Sequence, residues 1–267
     1  MQNKVFRNAC ILACIAMTLA TSNVRADEQP EKQKPTILSA ELGFDVATGK
    51  YGTRRTTTTI SVPLALTYYP VDSVDVGLSI PYIWQNNGLV VGGRRVKRII
   101  SNSAAANHPI NGVGDLVLAL GYKLVRETDY MPEVHPVVNI KFPTAETGLG
   151  SGEYDETFGV EFTKWLRDWY FLADGNYTIQ GRSKIFKAKN YFSYDGEVGY
   201  EIMEGLRPSL GVKAASPAEQ KSSSSVQVEG KITYAFTRSI EAKTYVDGGL
   251  TTNVPDWEGG FSLAYSF

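Results

Sequence analysis

Apolar and polar residues alternate along most of this chain. From Leu38, the positions Leu38, Ala40, Leu42, Phe44 and Val46 are apolar, and Ser39, Glu41, Gly43 and Asp45 lie between them. Strict period-two alternation places one set on each face of a β-strand. The pattern recurs over 60–68, 74–84, 116–124, 138–142, 157–163, 169–180, 192–202, 206–213, 226–234, 240–247 and 257–267, which predicts about twelve strands and no helix. Most are near ten residues long, above the five or six usual in soluble sheets.

The connectors alternate in length. Short ones fall at 70–73, 126–133, 167–168, 203–205 and 237–239; long ones fall at 48–56, 86–113, 145–155, 181–191, 215–225 and 251–256. A β-sandwich, a lipocalin-like barrel or a jelly roll would point the apolar faces inward, and twelve such faces would need a very large dry core. A transmembrane antiparallel up-and-down β-barrel points them outward to lipid, with an even strand number, short periplasmic turns and long extracellular loops. The pattern predicts this all-β class. Aromatics support it: Tyr68, Tyr69, Trp165, Trp169, Tyr170, Tyr234, Phe236, Tyr265 and Phe267 lie beside short connectors. Tyr82, Trp84, Phe142, Phe158, Tyr191, Phe192 and Trp257 lie beside long ones. Two girdles at the lipid–water boundaries are expected.

Residues 1–26 stand apart. Lys4 and Arg7 precede an apolar run from Ala9 to Ala20, and Val24-Arg25-Ala26 offers a cleavage site. This reads as a cleaved signal peptide, too short to span hydrocarbon; a lipoprotein cut before Cys14 would leave almost no apolar core. The expected organisation is a signal peptide over 1–26, a periplasmic segment over 27–36 and a barrel over 37–267. Both cysteines, Cys10 and Cys14, would leave with the signal, so the exported chain would fold without a disulfide.

Composition then adds limits. The full chain has 27 Lys+Arg and 28 Asp+Glu, with 43% hydrophobic residues. That excludes a bundle of membrane helices, a strongly basic nucleic-acid binder and a disordered chain. Removing 1–26 leaves 24 bases against 28 acids, a net charge of −4.

If the polar faces line a lumen, its selectivity candidates include Asp75, Asp115, Lys123, Lys141, Glu161, Asp174, Glu197, Glu229, Lys231, Glu241 and Lys243. Acids outnumber bases, which favours cations. Neighbouring charges, such as Glu229 and Lys231 against Glu241 and Lys243, are also expected to pair across strands and stiffen the wall. Twelve strands lie between filled eight-stranded barrels and sixteen-stranded porins, so a narrow pore, or one partly plugged by 86–113, is expected. That loop carries Arg94, Arg95, Lys97 and Arg98, candidates for lipopolysaccharide phosphates at the rim; Arg54, Arg55, Arg182, Lys184, Lys187 and Lys189 lie in other long loops.

Catalysis finds little support. The only histidines are His108 and His135, and His135 is followed by Pro136 and Val137 rather than by a serine two positions on. No metal-ligand spacing occurs, and Gly148–Gly152 opens no helix, so no metal and no cofactor is expected.

The end of the chain, Phe261, Leu263, Tyr265 and Phe267, resembles the C-terminal signature by which bacterial outer-membrane proteins are recognised by the barrel-assembly machinery. Tyr265 and Phe267 are the residues that carry it. Two inner segments resemble outer-membrane transporters named after the meta pathway of phenol degradation. One is Gly112-Val113-Gly114-Asp115-Leu116-Val117-Leu118 with Gly121-Tyr122-Lys123-Leu124. The other is Lys141-Phe142-Pro143-Thr144, Gly148-Leu149-Gly150-Ser151-Gly152 and Asp155. The resemblance is clearest over 110–180. It implies passive uptake of small molecules, including aromatic or other hydrophobic compounds, across an outer membrane. The other expected class is a structural or adhesive barrel whose basic loops bind lipopolysaccharide or partners.

Overall fold

The computed structural model describes residues 36–51, 56–86, 89–93, 96–100, 109–182, 188–219 and 222–267. The predicted signal peptide, and all of 27–36 except Thr36, lie outside the described residues. Residues 36–267 form one compact unit.

Among the described residues there are fifteen strand segments: β1 (Leu38–Gly49), β2 (Thr57–Val71), β3 (Val74–Gln85), β4 (Leu89–Gly93), β5 (Val96–Ile100), β6 (Ile110–Val113), β7 (Leu116–Tyr122), β8 (Glu133–Phe142), β9 (Asp155–Leu166), β10 (Trp169–Gln180), β11 (Tyr191–Tyr200), β12 (Leu206–Ala215), β13 (Ser225–Ala235), β14 (Ile240–Gly249) and β15 (Trp257–Ser266). Each main-sheet strand pairs antiparallel with its neighbours, and β1 pairs with β15, so the sheet closes on itself. At the seam Ile37 N–H donates to Phe267 O at 3.2 Å and Phe267 N–H donates to Leu38 O at 2.8 Å.

The predicted twelve strands become a twelve-position barrel because β6 and β7 both pair with β3 and share one position. The break falls at Gly114-Asp115, where Gly114 N–H turns to donate to Pro81 O at 2.8 Å. The long connector after β3 also differs from a plain loop: β4 and β5 form a separate two-stranded hairpin within it. Its Lys97 and Arg98 lie on β5; Arg94 and Arg95 lie outside the described residues.

Side-chain exposure is inverted relative to a water-soluble sheet. Leu210 is 75% exposed and Val246 63%. Among the described residues, sixteen polar or charged side chains are buried, against seven hydrophobic ones. Alternation alone leaves open which face is concave, but contacts decide it. Side chains on strands two positions apart converge only on the inner surface of a curved sheet, and among the described residues Asp75 with His135, Lys213 with Asp247, Lys231 with Glu197 and Tyr245 with Asp45 meet in this way, all from the set that alternates with the apolar one. The apolar set therefore faces outward, where hydrocarbon rather than a dry core covers it.

Outward aromatics pair near the strand ends. At the short-turn end lie Trp169 with Tyr200 (ring centroids 4.9 Å), Tyr234 with Phe236 (4.6 Å) and Tyr265 with Phe267 (4.6 Å). At the long-loop end lie Tyr82 with Trp84 (4.5 Å) and Tyr177 with Phe192 (4.7 Å). Four predicted girdle members are placed otherwise: Tyr69, Trp165, Tyr170 and Tyr191 point inward. Tyr69 shares the parity of Thr57, Thr59 and Ser61 on β2, and Tyr191 that of Ser193 and Glu197 on β11. Trp165 shares the parity of Asp155, Thr157 and Glu161 on β9, and Tyr170 that of Asp174 and Asn176 on β10, so the sheet fixes their direction despite their position at the boundary.

An outward residue far from both rims should tolerate no charge. Leu210→Arg is expected to cost about 2–4 kcal/mol in urea titrations of protein refolded into vesicles. A cost near zero would place Leu210 off the lipid face.

Candidate functional site

The inner wall is built from one residue in two along each strand. Glycine on an intervening strand repeatedly lets long side chains meet over it, as expected where another group approaches a strand closely. Asp75 on β3 and His135 on β8 meet at 2.7 Å over Gly121 on β7, where an added Cβ would collide with both. Tyr245 on β14 reaches over Gly260 on β15 to donate to Asp45 Oδ1 at 2.8 Å, and it also donates to Glu258 Oε1 at 3.3 Å. Arg207 on β12 passes Gly199 on β11 and lies with its Cζ 4.0 Å from the Tyr170 ring centroid and 5.1 Å from that of Trp165. These faces attract the guanidinium through the ring quadrupole.

Across β11–β14 runs an alternating ladder of acids and bases. Lys231 donates to Glu197 and lies 3.5 Å from Glu229 Oε1. Lys213 lies 2.5 Å from Glu229 Oε2 and 2.9 Å from Asp247 Oδ2. Glu197 is 5% exposed and Asp247 3%. Each lysine bridges two carboxylates, and that sharing offsets the cost of holding them away from bulk water. The expected pairing of Glu229 and Lys231 with Glu241 and Lys243 does not occur. The register sets Glu229 opposite Asp247 and Lys231 opposite Tyr245, while Glu241 and Lys243 lie opposite Ala235 and Thr233, nearer the short-turn end. There Lys243 lies 3.1 Å from Glu241 and 3.9 Å from Glu41.

Glu161, Asp174 and Asp195 occupy consecutive register positions on β9, β10 and β11, in line with His135 on β8. Lys123 lies 3.7 Å from Glu133 at the short-turn end.

Asp115 and Lys141 stand at the long-loop end and form a clasp. Lys141 Nζ lies 3.3 Å from Asp115 Oδ2 and 2.7 Å from Asp155 Oδ2, and donates to Ser151 Oγ at 2.6 Å. Ala145 N–H donates to Asp115 Oδ1 at 3.0 Å, and Leu116 N–H to Thr144 Oγ1 at 2.8 Å. Glu146 N–H donates to Val113 O at 3.0 Å while Val113 N–H donates to Glu146 Oε1 at 3.2 Å. Residues 144–146 thus run along the break where β8 has already ended: Thr144 serves the start of β7, Ala145 serves Asp115 and Glu146 serves the end of β6. The motif Lys141-Phe142-Pro143-Thr144 with Gly148–Gly152 and Asp155 pins the loop after β8 across the break in the β6–β7 position.

The remaining inner wall carries no charge. On β2, β3, β7 and β8 the inward positions include Pro63, Ala65, Gly77, Pro81, Ile83, Val117, Ala119 and Val137, all half-buried. Pro63 and Pro81 sit directly opposite one another in register. Sequence reasoning missed this strip because the alternation was scored by its polar members. Following parity strictly through Pro81, Ile83, Val117, Ala119 and Val137 would have found it, and would also have placed Tyr245, Trp165 and Tyr170 inside.

The comparisons with known proteins fit this geometry. Residues 100–267 match the model of the family described as "Putative MetA-pathway of phenol degradation". The chain belongs to that family. Both halves of the broken strand, the clasp and the charge ladder lie within the part that matches the MetA-pathway family. Among solved structures, the COG4313 outer membrane channel from Pseudomonas putida F1 is similar over 91% of this chain and 100% of that one, at 14% identity and a TM-score of 0.67. The KdgM porin (8% identity, TM-score 0.53, covering 86% of this chain and 99% of that one) is also similar. So is the NanC porin (14%, 0.52, 86% and 98%). These likenesses concern the barrel fold. No curated protein matches the chain in sequence.

Removing Lys213 from the ladder strands Asp247 and leaves Glu229 with Lys231 alone. Lys213→Met is expected to destabilise the barrel by about 3 kcal/mol in urea titrations, and adding Glu229→Gln with Asp247→Asn should restore most of the loss. No destabilisation, or no restoration, would mean the ladder does not stiffen the wall.

Proposed function

We propose that this member of the MetA-pathway family is a passive outer-membrane channel for small molecules, among them compounds with apolar or aromatic surface. The observation that carries the reading is the uncharged strip on the inner faces of β2, β3, β7 and β8. A polar pore has no need of inward Pro81, Ile83, Val117 and Val137, whereas an apolar solute leaving water gains by resting against them. The similar solved structures, an outer membrane channel and two porins, support the same activity. In this reading the short-turn end and both barrel termini face the periplasm, and Tyr265 and Phe267 present the assembly signal to the barrel-assembly machinery. The lumen charges, Asp75, Lys123, Glu161, Asp174, Glu197, Glu229, Lys231, Glu241 and Lys243, set which solutes pass. Asp115 and Lys141 act on selectivity indirectly, by holding the loop after β8. Arg94, Arg95, Lys97 and Arg98 meet lipopolysaccharide phosphates at the outer rim.

Liposome swelling tests the channel. Vesicles holding the refolded protein should swell in an isosmotic solution of a small neutral sugar such as arabinose, and vesicles without it should not. Equal swelling in both would favour a structural barrel with a blocked lumen.

A further inference from the structure

Two features of the inner wall lie on different strands and together describe a solute. The first is the uncharged strip, which runs over four adjacent strands and is bounded by groups that are already matched. Asp75 and His135 hold each other at one end, and Lys141 is held between Asp115 and Asp155 at the other. The second is the charge of the wall it faces. In the ring order of strands, β3 and β7 lie opposite β12 and β13. On the inner faces of β9–β14, away from the short-turn end, Glu161, Asp174, Asp195, Glu197, Glu229 and Asp247 stand against Lys213 and Lys231, with Arg207 nearer that end, in the register row of Lys243.

The two lysines on that wall are committed, while Arg207 Nε has no hydrogen-bond partner. Each lysine already bridges two carboxylates, and Arg207 lies against two aromatic rings. Two acids still have capacity: Glu197 Oε1 and Asp247 Oδ1 have no hydrogen-bond partner, although both side chains are more than nine-tenths buried. A buried carboxylate oxygen without a donor is costly, and a donor or cation brought to it recovers part of that cost.

We propose that the lumen is built for amphipathic organic cations: compact molecules with an apolar, ring-sized body and a single ammonium group. The apolar body moves along Pro63, Pro81, Ile83, Val117 and Val137. The ammonium group is drawn by the negative field of the facing wall, to which Glu197 and Asp247 contribute. The acid row Glu161–Asp174–Asp195, which starts on the strand beside β8, extends the negative field to the border of the strip. An anion of the same shape meets repulsion along that wall, and a small ammonium ion without a body gains nothing from the strip. This inference rests on the channel reading and adds the class of solute to it.

Zero-current potentials across planar bilayers containing the full-length refolded protein test it. The probes are benzylammonium, benzoate and methylammonium, with arabinose swelling run in parallel. Benzylammonium is expected to be favoured over benzoate on the order of tenfold, and to be favoured over methylammonium as well. Glu197→Gln with Asp247→Asn should bring benzylammonium and benzoate towards parity. Ile83→Ser with Val117→Ser should lower benzylammonium passage more than methylammonium passage. Equal passage of benzylammonium and benzoate in the unmodified protein, or preference for benzoate, overturns the proposal while arabinose swelling keeps the channel. Preference for methylammonium over benzylammonium overturns the role of the strip. Absence of all flux, arabinose included, removes the channel reading and this inference with it. The unmodified protein alone decides the first comparison, so a variant that fails to fold leaves the test intact.

Discussion

A β-sheet in hydrocarbon can have no edge, because each unpaired N–H or C=O there costs several kcal/mol and no water is present to satisfy it. Everything else in this molecule follows from meeting that condition. The seam between β1 and β15 brings Ile37, Leu38 and Phe267 together, so closure consumes the end of the chain. The break at Gly114-Asp115 would reopen an edge within the wall. It is tolerated because Pro81 O takes Gly114 N–H, and because Glu146 bonds Val113 of β6 and Thr144 bonds Leu116 of β7 in place of the missing length of β8. Asp115, Lys141 and Asp155 hold those residues there. A motif that carries the family resemblance thus repairs this interruption in the ladder.

Closure also divides the side chains. Outward positions diverge and meet lipid; inward positions converge and must share space. Glycine is what makes the convergence workable. Gly121, Gly199 and Gly260 each lie beneath a crossing, and the groups that cross are the Asp75–His135 pair, Arg207 on its aromatic rings, and Tyr245 on Asp45. These crossings, with the Glu197–Lys231–Glu229–Lys213–Asp247 ladder, tie strands two positions apart. Most of the tying lies on β9–β15. The strip on β2, β3, β7 and β8 is left without long side chains, and the lumen is therefore two-sided.

The barrel was legible from alternation, connector length and aromatic placement, because a period of two survives whichever face is buried. What alternation left hidden was register. Glu229 and Lys231 looked suited to Glu241 and Lys243, yet β14 sits so that Asp247 meets Glu229. Lys213, two strands from Asp247, joins the ladder through the length of its side chain, which spacing along the sequence does not encode. Trp165 and Tyr170 were misplaced by position near a turn, although their parity was readable. The uncharged strip was hidden differently: Val117, Ala119 and Val137 lie between outward apolar residues, so the segments read as continuous apolar runs rather than as two faces. The basic residues Arg94 and Arg95 lie outside the described residues, and the structure adds nothing to their reading.

Neighbouring positions Val117 and Leu118 separate the two faces within a single peptide unit. With Cys10 and Cys14 replaced by serine, single cysteines at Val117 and Leu118 can be compared in vesicles for reaction with a charged, membrane-impermeant thiol reagent. An outward apolar face and a water-filled, two-sided lumen require Val117→Cys to react and Leu118→Cys to stay protected by lipid. Protection of Val117→Cys together with reaction of Leu118→Cys, or equal reaction of both, would contradict the inside-out arrangement.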